Sequence, residues 1–316
     1  MRTTFRYLLV SLAICITTQG CFAVFYGGMP IVYDSVHLEE GQEIKDLPYD
    51  TFGIENPKGR LNLYLPATGD SWPVVIFVHG GGWSSGDKDL KIGGKKVYLN
   101  IGRFFAANGI ASAVINYRLI PGVHWQTQIG DIARATRWVH ENIESYGGDP
   151  DALFLAGHSA GAHLISHVAL NDELLTAFNM TTGDIRGVIA VSGAAYRVED
   201  DVTNQNGEMM SYLEKRFTVV DNSGRWVQDA SVLQFVDADD PPFQIFVGGA
   251  EIPGLIRQST LLKETLDSAG VPNTFELISG RKHARMILLM SGNGNGVGEK
   301  MIQFVQDYAT DLDEQK

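Results

Sequence analysis

Residues 151–165 of this chain read DALFLAGHSAGAHLI and contain its most informative motif. An apolar run leads into GHSAG at 157–161, and a helix-forming run follows it. A serine between two such glycines, with a strand before it and a helix after it, is typical of a tight turn that exposes the hydroxyl. The glycines let strand and helix approach closely because they carry no Cβ. The pattern predicts that Ser159 is a nucleophile; a coincidental glycine-rich turn is the alternative.

A second glycine-rich turn follows an earlier apolar run. Residues 73–78 read PVVIFV, which is typical of a buried strand, and lead directly into HGGGW at 79–83. Backbone N–H groups in such a turn can converge on the oxyanion that forms in acyl transfer, where each donor contributes about 3–4 kcal/mol. We expect these donors to be the N–H groups of Gly81, Gly82 and Ala160. A flexible glycine loop is the alternative.

The general base can be chosen by elimination. In chains with this kind of serine turn, the order is serine, then acid, then histidine. Of the eight histidines, those that follow the serine are His163, His167 and His283. The first two fall on the helix after Ser159, where His167 lies about 12 Å along the axis at about 1.5 Å per residue, so we expect packed or solvated side chains. His283 follows an alternating strand at 274–280, in a loop where a general base is expected.

The acid should lie between the serine and that histidine, at the end of a strand. Residues 243–247 read FQIFV, follow two prolines and run into Gly-Gly-Ala-Glu251. Glu251 therefore emerges at the carboxyl end of a strand, where it can orient the imidazole and stabilise its charged form. Asp237, Asp239 and Asp240 precede the strand, and we expect them to form a solvated acidic loop.

These motifs resemble the α/β-hydrolases of the esterase/lipase group that carry an HGGG-type oxyanion turn. More narrowly, they resemble the branch that contains kynurenine formamidase and the isoprenylcysteine methylesterases, most strongly between Trp72 and Leu164. The matching stretches are HGGGWSSGDK (79–88), NYRL (116–119), YGGDP (146–150), GHSAGAHL (157–164) and VGGAE (247–251). The resemblance implies a serine carboxyl-ester hydrolase that acts through an acyl-enzyme on small to medium esters. An arylformamidase is the alternative, and a catalytically inactive binding module is a second.

Strand-like runs alternate with helix-like segments along most of the chain. Helices are expected over 98–107, 130–146 and 255–269, each followed by a glycine-containing stop. This alternation predicts a mostly parallel, doubly wound sheet with helices on both faces. Residues 24–60 form an acidic lead-in that is expected to cover the site.

Residues 194–236 interrupt this alternation and are polar and irregular. They have two interpretations, a lid or acyl pocket and a pair of ordinary surface helices. Their larger apolar residues are Tyr196, Met209, Met210, Phe217 and Trp226. Trp83 is expected to bind substrate, with packing beneath its loop as the alternative, and His79 is expected to fix the glycine turn.

Composition narrows the classes of partner. The net charge is −12 and the isoelectric point is about 5.1, which argues against nucleic acid and anionic membrane surfaces. The sequence contains no phosphate-binding loop of the Walker type and no spacing typical of metal ligands, so neither a cofactor nor a metal is expected. We therefore expect a small-molecule ester as the partner. The sequence does not indicate an oligomeric state.

Residues 1–23 are typical of an export signal. A basic start without acids precedes a ten-residue apolar core at 7–16, which is too short to span a bilayer. Cleavage after Ala23 yields a catalytic domain of 24–316 that is periplasmic or secreted and has no membrane span. Lipidation at Cys21 is one alternative, and a buried N-terminal helix is another. Both cysteines of the chain lie in this leader.

Overall fold

A computed structural model describes residues 35–39, 42–92, 94–205, 207–218, 224–291 and 296–310. The expected leader at 1–23 lies outside these residues. In chain order the described strands are β1 (Glu43–Pro48), β2 (Arg60–Tyr64), β3 (Trp72–Val78), β4 (Lys91–Ile92), β5 (Lys95–Lys96), β6 (Ala111–Ile115), β7 (Gly148–His158), β8 (Gly187–Val191), β9 (Phe243–Gly248) and β10 (Asn273–Ile278).

Helices connect these strands. In the described part of the chain they are α1 (Val97–Ala107), α2 (Trp125–Asn142), α3 (Ala160–Leu170), α4 (Asp172–Thr176), α5 (Glu208–Phe217), α6 (Trp226–Ala230), α7 (Pro253–Ala269), α8 (His283–Leu289) and α9 (Val297–Thr310). Short 3-10 helices lie at Thr51–Ile54, Pro57–Gly59, Ile143–Tyr146, Thr182–Asp184 and Val232–Phe235. None of the described helices is both long enough and apolar enough to cross a membrane.

One large sheet organises the described residues. Its order is β1-β2-β6-β3-β7-β8-β9-β10, while β4 and β5 form a separate ribbon. Neighbouring strands in the part of the sheet that runs β6-β3-β7-β8-β9-β10 are parallel. Strands β2 and β1 extend the sheet by antiparallel pairing. Strands β6, β8 and β9 are buried along their whole length, as expected for a parallel sheet that helices cover. The predicted α/β-hydrolase architecture is confirmed.

The predicted helices are present, with small differences at their ends. Helix α2 begins at Trp125 rather than at Gly130 because Trp125, Gln128 and Ile129 are buried along its inner side. The chain then continues as a 3-10 turn to Tyr146, where Gly147 adopts a positive φ of 92°. A left-handed residue of this kind ends a helix at little cost when it is glycine.

The lead-in is described at 35–39 and 42–60. It contributes β1, which lies at the edge of the sheet with three strands between it and β7, and two short 3-10 helices. Its expected role in covering the site remains a prediction. The strand lacks a clear alternating pattern in the sequence because it contains charged residues and its register is irregular between Ile44 and Leu47. Both features are common at sheet edges. The remainder of the lead-in, 24–34 with 40 and 41, lies outside the described residues.

A buried cation connects this edge to the segment after the HGGG turn. Lys88 Nζ donates to Asp46 Oδ1 at 2.7 Å and also bonds Asp89, and its side chain is almost fully buried. Burial opposes the charged form of Lys88, but the bonds to the two carboxylates outweigh it and raise the pKa. The backbone N–H of Lys88 donates to Asn116 Oδ1 at 2.7 Å, and Asn116 Nδ2 reaches Asp87. The two matching stretches at 79–88 and 116–119 therefore fold as one unit.

Candidate active site

Ser159 occupies a strained turn between β7 and α3. Its φ is 57° and its ψ is −122°, an unusual conformation for a residue with a side chain. Its N–H donates to the carbonyl of Val191 at 2.9 Å, which ties the turn to β8. A Cβ on Gly157 would lie 2.7 Å from the carbonyl carbon of Gly161, and one on Gly161 would lie 2.3 Å from the carbonyl oxygen of Val78. Both glycines of the motif are therefore needed for this packing.

The structure brings together the three residues predicted as a triad. Ser159 Oγ lies 2.9 Å from His283 Nε2, and His283 Nδ1 lies 2.9 Å from Glu251 Oε2. The Glu251 side chain is 0% exposed, and its second oxygen accepts the N–H of Ile252 at 3.0 Å. With Nδ1–H donating to the carboxylate, Nε2 is free to accept the serine proton. The arrangement is that of a nucleophile, a base and an orienting acid.

Adjacent strand ends position the acid and the base. The N–H of Gly249 donates to the carbonyl of Ile278 at 2.7 Å, and the N–H of Ala250 donates to that of Arg281 at 2.9 Å. These bonds hold the turns after β9 and β10 together, so Glu251 faces His283. The prediction of a loop histidine is wrong in one respect, because His283 is the first residue of α8. A helix terminus restricts its backbone more than a loop would.

The rejected aspartates lie at the other end of β9. Asp240 Oδ2 accepts the N–H of Asp237 at 2.7 Å, and Asp237 Oδ1 accepts that of Asp239 at 2.9 Å. Asp240 is buried, not solvated as expected, and burial raises its pKa to about 7. The three residues form a turn ahead of the strand, and they take no part in the contacts of the triad described above.

The HGGG turn lies directly against the serine. A Cβ on Gly80 would lie 3.2 Å from Ser159 Cβ and 2.9 Å from the carbonyl oxygen of His158. Gly81 and Gly82 have positive φ values of 129° and 57°, which glycine adopts without a steric penalty. Ala160 is the first residue of α3, where backbone N–H groups have no partner within the helix.

Two carbonyls of the turn are held by hydrogen bonds. His79 Nδ1–H donates to the carbonyl of Gly80 at 2.8 Å, and burial lowers the His79 pKa to about 4, so the ring stays neutral. The carbonyl of Gly81 accepts from Ser85 Oγ at 2.7 Å and from the backbone N–H of Ser85 at 3.0 Å. In a trans peptide the N–H points opposite to the C=O. The N–H groups of Gly81 and Gly82 are therefore directed away from these partners.

A family model agrees with this geometry. The model described as BD-FAE matches residues 61–266, which include both glycine turns and Glu251. The chain belongs to the BD-FAE family.

Named relatives of this BD-FAE chain are esterases. It is 34% identical to Esterase LipQ of Mycobacterium tuberculosis (strain ATCC 25618 / H37Rv) over 245 residues, which are 74% of this chain and 55% of LipQ. It is 27% identical to isoprenylcysteine alpha-carbonyl methylesterase ICME of Arabidopsis thaliana over 244 residues, which are 74% of this chain and 56% of that protein. The chain thus spans about half the length of these curated relatives.

Solved structures show the same fold. A crystal structure of inhibited esterase B from Lactobacillus rhamnosis has a TM-score of 0.75 and 25% identity, and the match covers 94% of this chain and 97% of that one. An esterase from Pyrobaculum calidifontis has a TM-score of 0.65 and 18% identity, and the match covers 85% of each chain. Together with the family match, these similarities confirm the α/β-hydrolase resemblance.

The BD-FAE site contains a second histidine that sequence reasoning missed. His158 Nε2–H donates to the backbone carbonyl of His283 at 3.1 Å, and the two rings lie 4.6 Å apart between centroids. Burial, followed by the neighbouring His283, lowers the His158 pKa well below its usual value. The neutral ring of His158 thus holds the backbone of His283, the expected base, through a hydrogen bond. The only signal in the sequence was the position of His158 directly before the serine.

Trp83 does not contact the open site. The side chain is 2% exposed, its Nε1–H donates to His163 Nδ1 at 3.3 Å, and Phe217 packs edge-on against it. A residue that lined an open pocket would be reached by water. The expectation of a substrate contact is therefore not met, and the structure supports the alternative of packing beneath the turn.

The two histidines of α3 are buried, as their packed interpretation required. His163 Nε2 and His167 Nε2 both donate to the carbonyl of Ala230, at 2.9 Å and 3.1 Å. Burial lowers the pKa of His163 to about 4 and that of His167 well below its usual value. Both neutral rings therefore fasten the end of α6 to the helix that follows Ser159.

The insertion in this BD-FAE domain packs on the HGGG turn. Tyr196, Phe217 on α5 and Trp226 on α6 are buried, and Met209 and Met210 pack against the core. Arg216 Nε–H donates to the carbonyl of Gly82 at 3.1 Å. We call the described residues of this insertion, 194–205, 207–218 and 224–236, the cap.

Proposed function

We propose that this chain is a serine carboxyl-ester hydrolase that acts through an acyl-enzyme. The observation that carries the proposal is the pair of 2.9 Å contacts that link Ser159 to His283 and His283 to Glu251. The strained serine turn and the adjacent glycine turn add support. The relatives described above include an esterase and a methylesterase, which supports the same reaction class.

The first half of the reaction transfers the acyl group to the protein. Ser159 Oγ attacks the acyl carbon of the ester while His283 Nε2 takes the hydroxyl proton. The carbonyl oxygen becomes an oxyanion, which the N–H groups of Gly81, Gly82 and Ala160 would receive. The intermediate then collapses, and His283 returns the proton to the departing alcohol oxygen.

The second half releases the acid. Water attacks the acyl-serine, and its proton passes to His283. The second tetrahedral intermediate expels Ser159 Oγ, which recovers the proton from the imidazolium. In both halves the buried carboxylate of Glu251 stabilises the charged ring, and it keeps the proton of the neutral ring on Nδ1 so that Nε2 can accept a proton.

The cap indicates a small acyl site. Tyr212 projects from α5 toward the HGGG turn, and a Cβ on Gly82 would lie 2.1 Å from its hydroxyl. An acyl group held by the turn therefore meets a wall on the cap side. We expect kcat/KM for p-nitrophenyl esters to peak at acyl chains of about two to six carbons, because pocket shape acts through differential binding of the transition state.

A series of p-nitrophenyl esters from acetate to palmitate checks this expectation. N-formylkynurenine is included as the formamide competitor and should react more slowly than the best ester. A maximum at dodecanoate or longer, or a jump in rate at the micellar threshold, would show instead a lipid-sized tunnel. A preference for the formamide would assign the triad to an arylformamidase.

We also propose that the protein is exported. The support is the residue pattern at 1–23, with its basic start and short apolar core. Intact mass of the protein from its native host should correspond to a chain that begins at Val24, or at a lipidated Cys21. A full-length product that remains in the cytosol would contradict both forms of the proposal.

A further inference from the structure

The cap contacts the HGGG turn through two side chains of one helix. On α5, Arg216 Nε–H donates to the carbonyl of Gly82 at 3.1 Å, and Arg216 NH1 donates to the backbone carbonyl of Tyr212 at 3.1 Å. The guanidinium carbon lies 3.6 Å from the centre of the Tyr212 ring. None of the ion pairs found among the described residues includes Arg216. Its polar contacts thus go to backbone carbonyls.

These contacts restrict the backbone of Gly82, one of the expected oxyanion donors. Glycine has more backbone freedom than any other residue type. An oxyanion donor, however, stabilises a transition state only if the direction of its N–H bond is set in advance. The peptide before Gly82 is held through the carbonyl of Gly81, which accepts from Ser85 Oγ at 2.7 Å. The peptide after Gly82 is held through its own carbonyl by Arg216. Gly82 is therefore fixed from both sides, once by its own turn and once by the cap.

Tyr212 completes this arrangement. Its side chain is 39% exposed, and its hydroxyl lies so close to Gly82 that a Cβ there would be only 2.1 Å away. The Arg216 guanidinium lies over the Tyr212 ring, a cation–π contact that restricts both side chains. The two residues thus hold each other in place against the turn.

We propose that Arg216 is a positioning residue for ester hydrolysis. Its Nε–H bond to the Gly82 carbonyl fixes the peptide that follows Gly82. This limits the backbone rotation at Gly82 that would turn its N–H, set through the Gly81 carbonyl, away from the oxyanion, so that the cap completes the oxyanion hole without touching the reacting atoms. This proposal rests on the proposed serine-esterase function. It assigns the cap a role in kcat that is separate from any role in choosing the acyl group.

A pair of substitutions isolates the hydrogen bond. Arg216→Gln places an amide N–H at the same number of bonds from Cα as Nε, whereas Arg216→Met has similar length and no donor. We expect Arg216→Met to lower kcat for p-nitrophenyl acetate about tenfold with KM changed less than about twofold, a part of the 10²–10³ lost when an oxyanion donor is removed. Arg216→Gln should recover most of that loss. Lys215→Met, at the exposed neighbouring position, is the matched control and should match the wild type.

A trifluoromethyl ketone gives a second measurement. Ser159 Oγ adds to the ketone carbon, and its proton passes to His283, which leaves a stable oxyanion for the same donors. Its Kd should rise about tenfold in Arg216→Met and little in Arg216→Gln, in step with kcat. Arg216→Ala should repeat the loss of Arg216→Met, and thermal unfolding of every variant shows whether the fold persists.

The outcomes separate the alternatives. Equal losses in Arg216→Gln and Arg216→Met would overturn the proposal and attribute the effect to charge or to ring stacking. Wild-type kcat in folded Arg216→Met or Arg216→Ala would overturn it as well, as would a change confined to KM. If the wild-type protein hydrolyses no ester and binds no ketone, the proposed function fails first, which is a different result.

Discussion

Replacing Ser159 by alanine should lower ester turnover about 10⁴- to 10⁶-fold while the protein stays folded. The substitution removes the Oγ that lies 2.9 Å from His283 Nε2, and no other hydroxyl replaces it in the contacts of the triad. The backbone bond from residue 159 to Val191 does not involve the side chain and should persist. The measurement is kcat/KM with p-nitrophenyl acetate.

Ser84→Ala is a suitable control because Ser84 belongs to the HGGG segment and is half-buried. It should keep nearly the full rate, because Ser84 contributes a backbone N–H to the turn, which alanine retains. A fluorophosphonate probe should label the wild type and Ser84→Ala but not Ser159→Ala. Near-wild-type turnover in folded Ser159→Ala would refute the acyl-enzyme mechanism altogether.

Replacing Glu251 by glutamine should lower kcat about 10²- to 10⁴-fold and change KM far less. The carboxylate is fully buried and accepts Nδ1–H of His283, so it opposes the positive charge that develops on the ring mainly in the transition state. Glutamine removes that charge, and its amide N–H can donate to Nδ1, which favours the tautomer with the proton on Nε2, where it prevents Nε2 from accepting the serine proton. Both effects act on kcat.

Asp240→Asn provides the matched carboxylate control. Asp240 is also buried, at the opposite end of β9, and its pKa of about 7 means that a neutral amide replaces a carboxyl that is already partly protonated near neutral pH. This variant should keep its kcat. If Asp237, Asp239 or Asp240 proves as sensitive as expected for the acid and Glu251 does not, then Glu251 is not the acid of the triad.

The triad could be predicted from the sequence because each member sits at a strand end that a local pattern marks. The apolar run before Ser159, the prolines before β9 and the alternating residues before His283 each identify a strand. Parallel strands place their carboxyl ends at one edge of a sheet, so three positions far apart in the chain converge there. Asp237, Asp239 and Asp240 precede β9 whereas Glu251 follows it, and this difference distinguished Glu251 from the aspartates.

Other features depend on contacts that no local pattern records. The bond from His158 to the His283 carbonyl joins residues 125 positions apart, and the bond from Arg216 to Gly82 joins residues 134 positions apart. Trp83 follows the same logic, because an aromatic residue beside a glycine turn can face either the pocket or the core. Only the packing of α3 and the cap decides that it faces the core.

The buried histidines around the site make the folding stability of the protein depend on pH. Burial lowers the pKa of His79 and His163 to about 4. It also lowers the pKa of His158 and His167. An unfolded chain would protonate these rings from about pH 6.5 downward, so below that pH it binds more protons than the folded chain. As the pH falls, each such histidine therefore lowers the free energy of unfolding by up to about 1.4 kcal/mol per pH unit, until the pH reaches its pKa in the folded chain. The scaffold therefore has an acid limit of its own, set by buried imidazoles that must remain neutral while the imidazole of His283 changes its charge at every turnover.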